Sequence, residues 1–156
     1  MPVRLLPDAD YGSCAAFART HNSGSSRYIY IMCGILGQVS LKNTLHTNRD
    51  DFERALHLQA HRGPDDWGVA FGDRFAFGHR RLSIIDLSHR AKQPMTSKDG
   101  RITLIYNGEI YNYAELKPDL ESKGYRFETT SDTEVLLNGL HHYGLDFVEK
   151  CIGMFV

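Results

Sequence analysis

Short apolar runs alternate with polar breaks along the chain, and the period of each run separates strands from helices. Cys33 to Leu41 reads as a mostly buried strand, with Ile35 and Leu36 set between Gly34 and Gly37. Thr47-x-x-Asp50 then opens a helix whose apolar positions are Phe52, Ala55, Leu56 and Ala60, and Arg62-Gly63-Pro64 stops it. Trp67 to Phe71 and Arg74 to Phe77 flank Gly72-Asp73 as a hairpin, and Arg81 to Asp86 runs apolar into a loop. Asp99-Gly100 predicts a turn and Ile102 to Tyr106 a β-branched strand that stops at Asn107-Gly108. Asn112 caps a helix through Leu120, with a break or kink expected at Pro118 because proline has no N–H to donate. Gly124 fits the position after that helix, and Tyr125 to Glu128 reads as a short strand. Ser131-x-x-Glu134 is a capping box for a helix with Val135, Leu136, Leu140 and Tyr143 inward and Gly144 at its end. After one more helical turn, Ile152 to Val156 begins a strand. Strands grouped apart from helices predict α+β layers.

The first 31 residues lack such a period, being broken by Pro2, Pro7, Gly12 and Ser23-Gly24-Ser25-Ser26. Residues 1–32 are therefore read as an extension and residues 33–156 as the domain. A propeptide, an added tail and a start assigned upstream of the real one at Met32 are three readings of the extension, and the last is preferred. The length of 156 residues suits one domain. A formal net charge of −1 gives no electrostatic reason to expect nucleic acid or an anionic membrane. The longest strongly apolar run, Tyr28 to Gly37, falls short of a membrane span, and Asp8 and Asp10 interrupt what a secretory segment would keep apolar, so a cytoplasmic protein is expected. Three widely spaced cysteines argue against a disulfide framework and against a Cys-x-x-Cys metal site. His57 and His61 have the spacing of a metal pair, but no Glu follows His57 and no other ligand cluster joins them, so no metal is expected.

The candidate chemistry centres on Cys33. A thiol after an initiator-type Met becomes residue one of a chain begun there, and its α-amine, titrating at about 7.7–8.0, can take the thiol proton and return it to a leaving amine. Polar groups at strand ends add to it: Arg81, Asn107-Gly108-Glu109 and Asp132. Singly, these read as an edge arginine, a hairpin turn and a helix first-turn acid.

Five segments in order, Cys33-Gly34-Ile35, His61 to Asp65, Arg81 to Asp86, Tyr106 to Asn112 and Ser131 to Glu134, resemble the glutaminase half of glutamine-dependent asparagine synthetases. These are class II glutamine amidotransferases, and the resemblance covers Met32 to Val156. It implies a four-layer αββα sandwich of the N-terminal nucleophile hydrolase type, incomplete at the carboxyl end because the family domain continues with further strands. It implies L-glutamine as substrate, hydrolysed to glutamate and ammonia through a thioester on Cys33. Arg81 would take the α-carboxylate, and Asp132 with Glu109 the α-ammonium. The Asn107 side chain and the Gly108 N–H would meet the oxyanion, and Leu82, Ser83, Ile84 and Ile85 would line the pocket through backbone groups. His61 to Asp65 reads as architectural.

Two departures from the family bear on activity. Cys33 is internal as written, so its nitrogen is a non-basic amide and this chain is expected to be inactive. The synthetase domain that the family uses, with ATP and Mg, to make asparagine from aspartate is expected to be absent from these residues, and no cofactor is expected here. A homodimer of the full-length enzyme is compatible with the resemblance. Two other readings are a catalytically silent module for glutamine sensing or partner docking, and an amidotransferase serving another acceptor.

Overall fold

The computed structural model describes residues 16–17, 30–31, 33–83, 86 and 88–156. Strands β1 (Ala16–Phe17) and β2 (Tyr30–Ile31) form an antiparallel ladder of their own. The first structural unit after them is β3 (Gly34–Val39), α1 (Arg49–His57), β4 (Asp66–Gly72) and β5 (Phe75–Arg81), with the strands antiparallel in the order β3-β5-β4. The predicted hairpin is β4–β5, and its register sets Gly72 opposite Phe75 and Asp66 opposite Arg81.

Central strand β5 sorts its side chains onto two faces. On one, α1 lies against Gly78, where a Cβ would stand 3.0 Å from a Leu56 methyl and 3.1 Å from the Phe52 ring. Burial of Phe52 and Leu56 there contributes about 1.5–3 kcal/mol each. On the other face, Phe77 and His79 meet the chain at Ile105 and Tyr106: the space above Gly37 is filled by Phe77 and Ile105, and His79 bonds the Tyr106 carbonyl. The site lies on this second face.

Several elements differ from the sequence expectation. Strand β3 is buried only at its start, because it is a sheet edge; Val39 is 60% and Leu41 85% exposed. Asn48, not Thr47, caps α1, accepting from Asp51 N–H at 3.1 Å, while Thr47 donates to Gln38. The helix stops at His57, and successive tight turns carry the chain to Arg62.

Beyond β5 come β6 (Met95–Thr96) and β7 (Thr103–Leu104), joined through a turn at Gly100, then β8 (Gly108–Ile110), α2 (Tyr113–Ser122), α3 (Asp132–Tyr143), a 3-10 segment (Gly144–Lys150) and β9 (Gly153–Phe155). Strand β7 stops at Leu104, short of the expected Tyr106, because side chains take over the Tyr106 backbone groups. Pro118 does not break α2, which runs on to Ser122; the carbonyl deprived of a donor belongs to exposed Ala114. Asn112 makes no side-chain cap and instead clamps the approach to β9, bonding Lys150 O and Ile152 N at 2.9 Å each. No strand forms at Tyr125 to Glu128: the Glu134 carboxylate takes the N–H groups of Glu128 and Thr129. The Ser131 half of the capping box is present, its Oγ accepting from Glu134 N–H at 3.3 Å.

Tyr106, Ile110, Leu120, Val135, Leu136 and Phe147 form the core on which β8, α2 and α3 converge. The fold is α+β. Among the described residues, β6–β7 and β8–β9 are separate two-stranded ladders, so a second complete sheet is not laid out. No helix among them is long and apolar enough to cross a membrane.

Candidate functional site

The alternation that places His79 and Arg81 on one face of β5 brings them beside Cys33 at the entry to β3, since Gly34 pairs with Arg80 and Ile35 with His79. A cleft of about 80 Å³ opens there. Of the residues expected from sequence, Cys33, Arg81, Leu82, Gly108, Glu109 and Asp132 line it. Asn107 and Ser83 adjoin lining residues without lining the cleft, and Ile84 and Ile85 lie outside the described residues.

Cys33 is partly buried, and its Sγ accepts the Leu82 N–H at 3.3 Å. Loss of water contact pushes its thiol above the usual value, opposed by that N–H and by the Arg81 charge. The His61 to Asp65 corner braces this arrangement. Arg62 Nε donates to Cys33 O at 3.3 Å, Asp65 accepts from Ser83 N–H at 2.8 Å, and Gly63 lies so close to β5 that a Cβ would meet the Arg80 carbonyl carbon at 2.3 Å.

Arg81 is buried, and its guanidinium donates to the carbonyls of Ser88, at 2.8 Å, and Asp86. Asp132, also buried, accepts from the Tyr106 hydroxyl at 2.8 Å and Ile110 N–H at 3.0 Å, both on Oδ2. Both charges therefore hold the fold as well as facing the cleft. Burial, then the Asp132 charge, drives the Tyr106 phenol strongly upward, keeping it a neutral donor.

The β8–β9 ladder decides where Gly108 points. Asn107 and Val156 exchange both backbone bonds and Tyr111 N–H reaches Ile152 O, so bonded pairs fall on the odd-numbered residues of β8. Gly108 and Ile110 consequently direct their N–H groups away from β9; that of Ile110 meets Asp132, and that of Gly108 is turned to the same side. A Cβ on Gly108 would lie 2.2 Å from Met154 O, so only glycine permits this approach.

Sequence reading passed over four contributors. Asp86 accepts from Ser88 and Thr130 N–H groups, at 2.7 and 2.9 Å, and its own carbonyl receives Arg81, which joins the Arg81 loop to the start of α3. Bonds from the Ser88 side chain, then Thr130 N–H, hold its carboxyl down at about 2. Gln93 and His79 fix the Tyr106 peptide, and Tyr106 fixes Asp132. A polar residue two places before Arg81 on the same strand face was the available signal for His79.

A family profile described as a glutamine amidotransferase domain matches residues 32–156. Asparagine synthetase [glutamine-hydrolyzing] 1 of Bacillus subtilis is 45% identical over 127 residues, covering 80% of this chain and 20% of that protein. Asparagine synthetase [glutamine-hydrolyzing] 3 of the same organism is 40% identical with the same coverage. Amidase chry2 of Gibberella zeae is 41% identical over 108 residues, 68% of this chain and 16% of that protein. The chain thus spans about a fifth or less of the length of these curated relatives. From the cleft that gathers Cys33, Arg81, Gly108 and Asp132, and from the match over residues 32–156, it follows that this chain belongs to the glutamine amidotransferase domain family.

Proposed function

We propose that the cleft hydrolyses L-glutamine to glutamate and ammonia, with Cys33 as nucleophile. The observation that carries this reading is the placement of the Cys33 thiol, a cation (Arg81), two anions (Asp132 and Glu109) and the Gly108 backbone around one cleft. Free glutamine offers the complementary set: a carboxylate, an ammonium and a side-chain amide. Arg81 takes the carboxylate through N–H groups not engaged with Ser88 and Asp86. Asp132, with Oδ1 opposite its bonded oxygen, and Glu109 take the ammonium. Leu82 lines the pocket beside the nucleophile.

The Cys33 sulfur bonds to the side-chain carbonyl carbon as the thiol proton passes to the α-amine of Cys33. The carbonyl oxygen, now negative, is met by the Gly108 N–H and the Asn107 side-chain amide; one such donor is worth about 2.7–4 kcal/mol in rate. The C–N bond breaks as the α-amine returns the proton to nitrogen, releasing ammonia and leaving a γ-glutamyl thioester. Water then cleaves the thioester, restoring the thiol. This cycle needs Cys33 to be the first residue, because an amide nitrogen has no basic lone pair, and it uses no cofactor.

The finer assignments are part of the same proposal. Residues 33–156 form the amidotransferase domain on an αββα N-terminal nucleophile hydrolase plan, with residues 1–32 outside it. The ammonia serves ATP-dependent asparagine synthesis from aspartate in a synthetase domain, as the names of two relatives suggest.

The test is ammonia release from glutamine by the full-length protein made once from Met1 and once from Met32, with each amino terminus read by mass spectrometry. Turnover is expected only where Cys33 comes first, and is expected to vanish in Cys33→Ala. Equal turnover from a chain that retains residues 1–32 would overturn the mechanism.

A further inference from the structure

We propose that His79 is a positioning residue for the Asn107–Gly108 donors, acting through the carbonyl of Tyr106. The inference rests on the glutaminase reading above and adds a residue to it.

His79 is wholly buried in the floor of the cleft, and its Nε2 lies 3.0 Å from Tyr106 O. A carbonyl only accepts, so Nε2 carries the hydrogen, and a neutral ring then has its lone pair on Nδ1. That Nδ1 is buried and has no hydrogen-bond partner among the described residues. Burial, aided by the Arg81 charge, keeps the ring neutral, with a pKa pulled down to about 4. An orphaned buried acceptor lowers stability, and an apolar side chain would avoid that loss, so packing alone does not account for histidine here.

What the histidine supplies is a bond to a stretch that, among the described residues, lies between two strands and not within one. Strand β7 ends at Leu104 and β8 begins at Gly108. Between them, Gln93 Oε1 takes Tyr106 N–H at 2.6 Å and His79 takes Tyr106 C=O. The same peptide unit contains the Asn107 nitrogen, which is tied to Val156. His79 thus anchors to the three-stranded sheet, which carries Cys33, the peptide from which the Asn107 side chain and the Gly108 N–H project. It sets the separation of nucleophile and oxyanion donors, to which rate is far more sensitive than ground-state binding.

The experiment compares the full-length protein beginning at Cys33 with its His79→Leu and His79→Gln variants. His79→Leu is expected to lower kcat for ammonia release by roughly 10- to 100-fold with KM for glutamine changed less than about twofold. His79→Gln, which keeps a donor at similar reach, is expected to recover most of the loss. Unchanged kcat in His79→Leu, a change in KM alone, or a Gln variant no better than Leu would overturn the proposal. Nitrogen-15 spectra of the His79 ring and the Gly108 amide provide a readout independent of turnover, and the ring tautomer is read in the parent whether or not the Leu variant folds. An Nε2–H tautomer, and a Gly108 amide displaced in His79→Leu and closer to its parental position in His79→Gln, are expected; an Nδ1–H tautomer or a Gly108 amide unmoved in His79→Leu counts against the proposal. If the parent releases no ammonia, the glutaminase reading fails, and the spectra still decide whether His79 positions Gly108.

Discussion

The Sγ of Cys33 accepts the backbone N–H of Leu82 at 3.3 Å, across a sequence separation of 49 residues. This bond favours the thiolate, yet desolvation outweighs it and leaves the thiol raised above its usual value. In a chain that retains residues 1–32, whose Cys33 nitrogen is an amide, iodoacetamide should alkylate Cys33 more slowly than free cysteine at pH 7 and accelerate as pH rises. Peptide mass mapping distinguishes it from Cys14 and Cys151. A rate equal to that of free cysteine at pH 7 would contradict the burial argument.

Asp132 serves two masters, a buried pair of donors and the cleft. Asp132→Ala leaves the Tyr106 hydroxyl and Ile110 N–H without their acceptor, at about 1–3 kcal/mol each, and the melting temperature should fall accordingly. Adding Tyr106→Phe removes one orphan and should restore part of that loss. Asp132→Asn keeps the shape but not the charge, and glutamine titration should show affinity lowered by roughly tenfold or more, the worth of a charge-assisted bond. Parental affinity in Asp132→Asn would show that the ammonium is met elsewhere.

Gly63→Ala would drive a methyl into the backbone of Arg80 and Arg81, at 2.3–2.5 Å from the nearest atoms. Backbone on both sides prevents easy relief, so a loss of about 1–3 kcal/mol is expected in denaturant melts. Glutamine turnover should fall too, because Arg81 and Leu82 shift with the strand. A neutral outcome would mean that the corner retreats freely from β5.

Acid should destabilise the protein in two stages. His79 has a folded pKa of about 4 against 6.5 unfolded, so protons favour the unfolded chain. Its contribution is complete above about pH 6.5 and is lost as pH falls to about 4, to the extent of about 3 kcal/mol at 1.4 kcal/mol per pH unit. Asp86 follows, its contribution present above 3.8 and lost as pH falls through about 2. Denaturant midpoints between pH 7 and 4 should drop steeply in the parent and less in His79→Gln. Equal slopes would show that His79 is not the group being titrated.

The sequence was most informative where one residue type has one physical use. Gly72-Asp73 marked the β4–β5 hairpin, Ser131-x-x-Glu134 marked the start of α3, and Gly144 marked its end, because turn and cap chemistry is local. The five ordered motifs carried the family, which the match over residues 32–156 bears out. Local signals were overridden where a side chain from elsewhere took the backbone groups. Glu134 displaced the expected strand at Tyr125 to Glu128, and Thr47 lost the α1 cap to Asn48 by bonding Gln38 instead.

Sequence by itself supplied the chemical groups of the proposed glutamine site: a thiol at Cys33, a fork at Arg81, acids at Glu109 and Asp132, and a glycine at 108. Only the tertiary structure decided what else those groups must do. Arg81 and Asp132 are tied to Ser88, Asp86, Tyr106 and Ile110, and His79 reaches across to Tyr106 from a strand 27 residues earlier. Such bonds are set by sheet register and by the packing of one layer on another. Neither leaves a periodic trace in the chain, since a buried polar side chain finds its partner in space and not at a fixed spacing.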